Sequence, residues 1–180
     1  MKKIILASAS PRRLELLSII TEDFEVIPAD IPETVPENLA NEEIPEFLAV
    51  QKAIYISKKY PERIVIAADT VVIINDEILG KPKDKADAKR MLKLLSGKTH
   101  TVITGVAVWG KTTSSFSEIS KCTFYQLTEK KIDEYISTGE PMDKAGAYGI
   151  QGKGALLVKS INGDFYNIMG LPIARLSRFL

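Results

Sequence analysis

The sequence predicts an α/β fold with a mixed central β-sheet flanked by helices, and three features carry that expectation. Short apolar runs alternate with segments of helical spacing, the pattern of strands joined by crossover helices. One run, Ile64-Val65-Ile66-Ala67-Ala68, is continuously apolar, as a strand covered on both faces must be. Between residues 99 and 125 the pattern changes to two long alternating runs joined by a polar turn, which adds an antiparallel part. With 180 residues the chain suits one domain, 1–180, large enough to bury a core and form a cleft without a partner.

The elements follow in order. A strand at 4–7 runs through Ser8-Ala9-Ser10 into a helix at 11–20, where Ser10 is a good N-cap and Pro11 fits the first helical position. Arg12 and Arg13 then fall in the first turn, where each cation opposes the helix field by about 0.3–1 kcal/mol. A phosphate bound among Ser8, Ser10, the free amides and the two arginines would convert that penalty into binding energy. A pair of solvated surface arginines is the plainer alternative. A strand at 24–27 and an extended, acidic, proline-rich loop at 28–41 come next, then a helix over about 45–60 with Phe47, Val50, Ala53, Ile54 and Ser57 on one face.

After the buried strand 64–68, Asp69-Thr70 interrupts the most hydrophobic part of the chain before Val71 to Ile74 and an Asn75-Asp76 turn. Helix 84–96 has Asp84 to cap it, Ala88, Met91, Leu92 and Leu95 on one face and Gly97 to end it. Strands at 99–109 and 115–125 lead to a helix at 128–137 and a glycine-rich loop. Beyond the loop, 155–161 and 164–169 read as a hairpin through Asn162-Gly163, and Pro172 opens a last helix that runs to Leu180.

Composition limits the partners. A net charge of +1 gives no general attraction to nucleic acid or to a membrane surface, so any anion site must be built locally and must take few phosphates, as in a nucleotide. The single cysteine, Cys122, excludes an internal disulfide and a cysteine-based zinc site. Only four apolar residues follow the Met-Lys-Lys start, too few for a signal peptide, and the expectation is a cytoplasmic protein.

Several side chains become candidates only together. Asp69, flanked by Ala67, Ala68, Val71 and Val72, would be costly as a lone buried charge, so it is paired, metal-bound or turned to a cleft, unless it merely starts a turn. Lys81, Lys52 and Glu33, read singly, are surface residues. As a set, two arginines and two lysines suit phosphates, and two carboxylates suit a hard divalent ion and its water. Gly97-Lys98-Thr99 is not a phosphate-binding loop, because Leu92 stands where the first glycine would be and the tripeptide follows a helix. His100 has no partner at triad or metal-site spacing and is assigned to structure, and Cys122 to the core.

The blocks Ser8-Ala9-Ser10-Pro11-Arg12-Arg13, Gln51-Lys52-Ala53, Ala68-Asp69-Thr70, Gly80-Lys81-Pro82 and the stretch from Gly139-Glu140-Pro141 to Gly149-Ile150-Gln151-Gly152 stand in this order. Together with Leu95-Ser96-Gly97 and Gly170-Leu171-Pro172, they resemble the Maf family of nucleoside triphosphate pyrophosphatases. The resemblance implies two lobes around a deep cleft, a fold similar to that of inosine triphosphate pyrophosphatases. It also implies cleavage between the α and β phosphates with Mg²⁺ or Mn²⁺. By that resemblance Asp69 takes the proton-acceptor place and shares the metal with Glu33, while Arg13, Lys52 and Lys81 fall where the family contacts phosphates. Arg12, Thr70 and Gln151 fall where a dTTP/UTP subgroup parts from one acting on N7-methyl-GTP, and their types match the former. Many relatives carry an acidic residue just before the place of Glu33, where this chain has Pro32. The resemblance also brings in a homodimer and, as an alternative function, a nucleotide-sensing regulator of septum formation.

Overall fold

The computed structural model describes residues 3–180; Met1 and Lys2, where the signal-peptide reading begins, lie outside them. The chain divides into two compact units, the first made of residues up to 70, 104–118 and 166–180, the second of 71–103 and 119–165. The expected class, a mixed α/β fold with helices flanking a mixed sheet, is what forms.

In the first unit, β1 (Ile4–Leu6) lies between β2 (Phe24–Val26) and the first part of β3 (Ile64–Ile74), parallel to both, with Ile5 opposite Glu25 and Val65. β5 (Thr99–Trp109) follows β3 in the sheet and β6 (Thr113–Phe124) follows β5. The connections are α1 (Pro11–Ile20) and α2 (Ile44–Ser57). Ile5, Ala7, Val65, Ala67 and Ala107 pack with Ala49, Ala53 and Ile56 of α2 in one buried cluster. Because strand side chains alternate, the face that carries Val65 and Ala67 also carries Asp69, while Thr70 belongs to the opposite face.

Small residues let α2 come close, and at Gly105 its backbone rests on the strand. A Cβ at that position would stand 2.1 Å from the Glu46 nitrogen. This contact sets the start of α2, and Lys52 follows on the same helix two turns later.

In the second unit, β3 turns through Asn75 and Asp76, both at positive φ (51° and 62°), into antiparallel β4 (Glu77–Leu79). Asp69 and Thr70 therefore do not interrupt the strand, since β3 is continuous through them. α3 (Lys85–Leu95) is capped by Asp84 at 2.8 Å from the Asp87 amide, and α4 (Glu129–Ser137) by Thr128. The expected Asn162-Gly163 hairpin does not form. Instead β7 (Val158–Asn162) pairs antiparallel with β6, and 165–169 becomes the short helix α5 (Phe165–Met169). Gly163, at φ +122°, lies so close to Ser120 that a Cβ would be 2.7 Å from its hydroxyl, and that hydroxyl donates to the Asp164 carbonyl. The chain is thus led out of the sheet where a two-residue turn would have folded it back. The last helix, α6 (Ile173–Leu176), is also shorter than expected: the Arg178 and Phe179 amides bond only three residues back, to Arg175 and Leu176, and Phe179 stacks on Phe116 at 5.0 Å.

His100 and Cys122 are core residues of the second unit, as expected. The imidazole Nε2 lies 2.7 Å from the Tyr148 hydroxyl, and the ring meets Phe124 edge-on. Burial pushes its pKa down from 6.5 to about 4. The unfolded chain therefore binds a proton between these values when the folded chain does not, so stability is lost as pH falls through that window. Between pH 7 and pH 5 the loss is on the order of 2 kcal/mol, read as a lower urea midpoint, and His100→Phe should remove that part of the pH dependence.

Candidate functional site

Ser8 and Ser10 follow β1 at the carboxyl end of a parallel strand, the place where open α/β sheets bind ligands. The Ser10 hydroxyl caps α1 by accepting from the Arg13 amide at 3.5 Å, which sets Arg13 on the first turn. The Arg13 guanidinium is held on three sides. Its Nε donates to the Gly170 carbonyl at 2.8 Å, one terminal nitrogen donates to Ser8 Oγ at 3.2 Å, and the other to Thr70 Oγ1 at 3.0 Å. Of its five N–H groups, one on each terminal nitrogen remains outside these bonds. That is the fork with which arginine grips two oxygens of a phosphate.

The other face of the sheet supplies the acid group. Lys52 reaches from α2 with Nζ 2.7 Å from Asp69 Oδ1 and 2.7 Å from Glu33 Oε1. Lys52 and Asp69 are largely buried, their side chains 12% and 15% exposed, whereas Glu33 is 55% exposed on the 28–41 loop. Asp69 is thus a paired charge, which resolves its cost in an apolar strand. The two groups also act on each other. Burial lowers the pKa of Arg13, with Arg12 adding to the fall, while the charges of Asp69 and Glu33 oppose it. The guanidinium nonetheless stays charged at any physiological pH.

The structure therefore brings Ser8, Ser10, Arg12, Arg13, Glu33, Lys52, Asp69 and Thr70 into the first unit. Lys81 and Gln151 belong to the second. Lys81 is exposed just after β4, next to Gly80, whose carbonyl accepts from the Gly146 amide at 3.1 Å. Gln151 is half-buried between two braced backbone segments. Tyr135 Oη accepts from the Gly149 amide before it, and Glu140 accepts from the Lys153 and Gly154 amides after it, with Tyr135 and Glu140 joined at 3.0 Å.

Sequence reasoning did not find Tyr135, Glu140 or the Gly170 carbonyl as supports, nor Thr104, whose Oγ1 lies 2.9 Å from Thr70 Oγ1. A tyrosine five residues before a glutamate on a glycine-rich loop is a weak signal, and Thr104-Gly105 reads as ordinary alternation. A carboxylate pair that shares a buried ammonium has the donor set that a divalent cation would use, since Mg²⁺ and Mn²⁺ take carboxylate oxygens and complete their shell with water and phosphate. Asp69 and Glu33 fit such an ion.

Comparison with known proteins gives a consistent picture. A family model described as Maf-like protein matches residues 3–180. A dTTP/UTP pyrophosphatase of Bacillus cytotoxicus is 54% identical over all of this chain and 95% of its own length. Another protein with that name, from Bacillus anthracis, is 51% identical over the same shares. Among solved structures, a HAM1 protein from Coxiella burnetii aligns with TM-score 0.56 at 16% identity, covering 99% of this chain and 98% of that one. The Staphylococcus aureus Ham1 protein aligns with TM-score 0.52 at 19% identity, covering 84% and 77%. At these identities the solved structures speak for the fold alone.

Proposed function

The chain belongs to the Maf-like protein family, and from that premise we propose that it is a nucleoside triphosphate pyrophosphatase acting on dTTP and UTP. The observation that carries the reaction is the Lys52 ammonium bridging Asp69 and Glu33 near the Arg13 fork, a set that pairs a proton acceptor with fixed cations. The two relatives' names support the substrate class.

A triphosphate brings about four negative charges, and water attack on the α-phosphorus needs them screened and the leaving group stabilised. Arg13 grips phosphate oxygens through its two outward N–H groups. Ser8 and Ser10 add hydroxyl and amide contacts, and Lys52 and Lys81 supply point charges. Asp69 accepts the proton of the attacking water as the new oxygen–phosphorus bond forms. The bond from the α-phosphorus to the bridging oxygen breaks, and that oxygen leaves with pyrophosphate. A bound Mg²⁺ or Mn²⁺, held by Asp69 and Glu33, would supply further charge neutralisation and polarise the water.

Arg12, Thr70 and Gln151 account for base choice, with Gln151 offering both a donor and an acceptor to a pyrimidine edge from its braced loop. The near-balanced charge supports a free nucleotide as partner in preference to nucleic acid, and no helix among the described residues is long and apolar enough to cross a membrane. The test is a panel of normal and modified triphosphates with Mn²⁺. Preference for dTTP and UTP over ATP and GTP by tenfold or more in kcat/KM is the expected outcome. Equal rates on all four would refute the specificity, and binding without turnover would favour the nucleotide-sensing regulator.

A further inference from the structure

We infer that Thr104 is a positioning residue for the phosphate site, the buried link of a closed hydrogen-bond ring that fixes the Arg13 guanidinium; this rests on reading Arg13 as a phosphate ligand. Thr104 is fully buried on β5, outside every sequence block that marks the site. Its Oγ1 lies 2.9 Å from Thr70 Oγ1 and 2.9 Å from the Asn167 carbonyl. A hydroxyl has one proton and a carbonyl can only accept, so the Thr104 proton goes to Asn167. The Thr104 oxygen must then accept from Thr70. Thr70, having given its proton inward, can only accept from Arg13, whose terminal nitrogen is 3.0 Å away.

The circuit closes through Gly170. Its amide donates to the same Asn167 carbonyl at 2.9 Å, and its own carbonyl accepts from Arg13 Nε at 2.8 Å. Five residues on α1, β3, β5 and the α5 end thus hold one another, with the Gly170 amide shared between the Asn167 carbonyl and that of Tyr166 at 3.1 Å. Gly170 sits at φ +113° to turn its peptide into the ring, a conformation that favours glycine. Two consequences follow. The direction of the two free Arg13 N–H groups is set from the side away from the ligand, before any phosphate arrives. And the Thr70 hydroxyl has no proton left for a base or phosphate, so its influence on the nucleotide passes through Arg13.

The test uses Thr104→Val, which keeps the shape and deletes the hydroxyl, beside Thr104→Ser, which keeps the hydroxyl. In proton–nitrogen spectra of the whole protein, the Arg13 Nε–H resonance, assigned by its absence in Arg13→Lys, should exchange slowly in wild type and in Thr104→Ser, and lose that protection in Thr104→Val. The KM for dTTP should rise about tenfold in Thr104→Val with kcat changed less than about threefold, and return toward wild type in Thr104→Ser. Should Thr104→Val fold poorly, Thr70→Val opens the same ring at the next link and should release the same resonance. Retained protection in a folded valine variant, or equal damage from serine and valine, would overturn the inference. An inactive wild type would overturn the proposed reaction instead, while the resonance would still decide the ring.

Discussion

Asp69→Asn is expected to lower kcat by about 10²–10⁴-fold, the range for loss of a general base, while the melting temperature stays near that of wild type. Asparagine has the same shape, so β3 and the packing of Ala67 and Val65 on α2 are retained. What disappears is the largely buried carboxylate that pairs with Lys52, whose other partner is the exposed Glu33. Triphosphate affinity measured without divalent metal should not weaken, because a negative charge has been removed beside an anion site. A variant with reduced kcat and retained nucleotide binding supports the assignment. Wild-type turnover would remove Asp69 from the mechanism.

Arg13→Lys is expected to cost about 10²-fold in kcat/KM, and Arg13→Ala up to about 10³-fold, as for other groups that bind charge at the reacting centre. The lysine variant is the more informative. It keeps a charge at the first turn of α1 but cannot bond Gly170, Ser8 and Thr70 while presenting a fork, so it separates charge from geometry. Steady-state kinetics on dTTP, with calorimetric binding of inorganic tripolyphosphate, reads both parts. A lysine variant equal to wild type would show that only charge matters there.

Much of this site was legible in the residues themselves. Ser10 before Pro11 marks a helix start, which forms as α1, and two arginines in a first turn oppose the helix field, a conflict visible in the sequence that motivates the proposed anion site. Asp69 within an apolar strand is likewise a visible conflict, and the structure resolves it with Lys52, seventeen residues earlier on another element. The helices with clear caps, at Asp84 and Thr128, form where expected. What could not be read was set by tertiary contact. Asn162-Gly163 has the composition of a hairpin turn, yet Ser120 packs against it and strand 158–162 takes β6 as its partner. Thr104 looks like any β-branched strand residue, and only the placement of Thr70 and Asn167 on either side of it gives its hydroxyl a role. Glycine at 105 is unremarkable until α2 is seen lying on it.

The most direct measurement is hydrolysis of dTTP in ¹⁸O-labelled water with mass analysis of both products. Attack at the α-phosphorus beside Asp69 predicts one labelled oxygen in the nucleoside monophosphate and none in the released pyrophosphate. Label in the pyrophosphate, or release of orthophosphate in its place, would contradict the account.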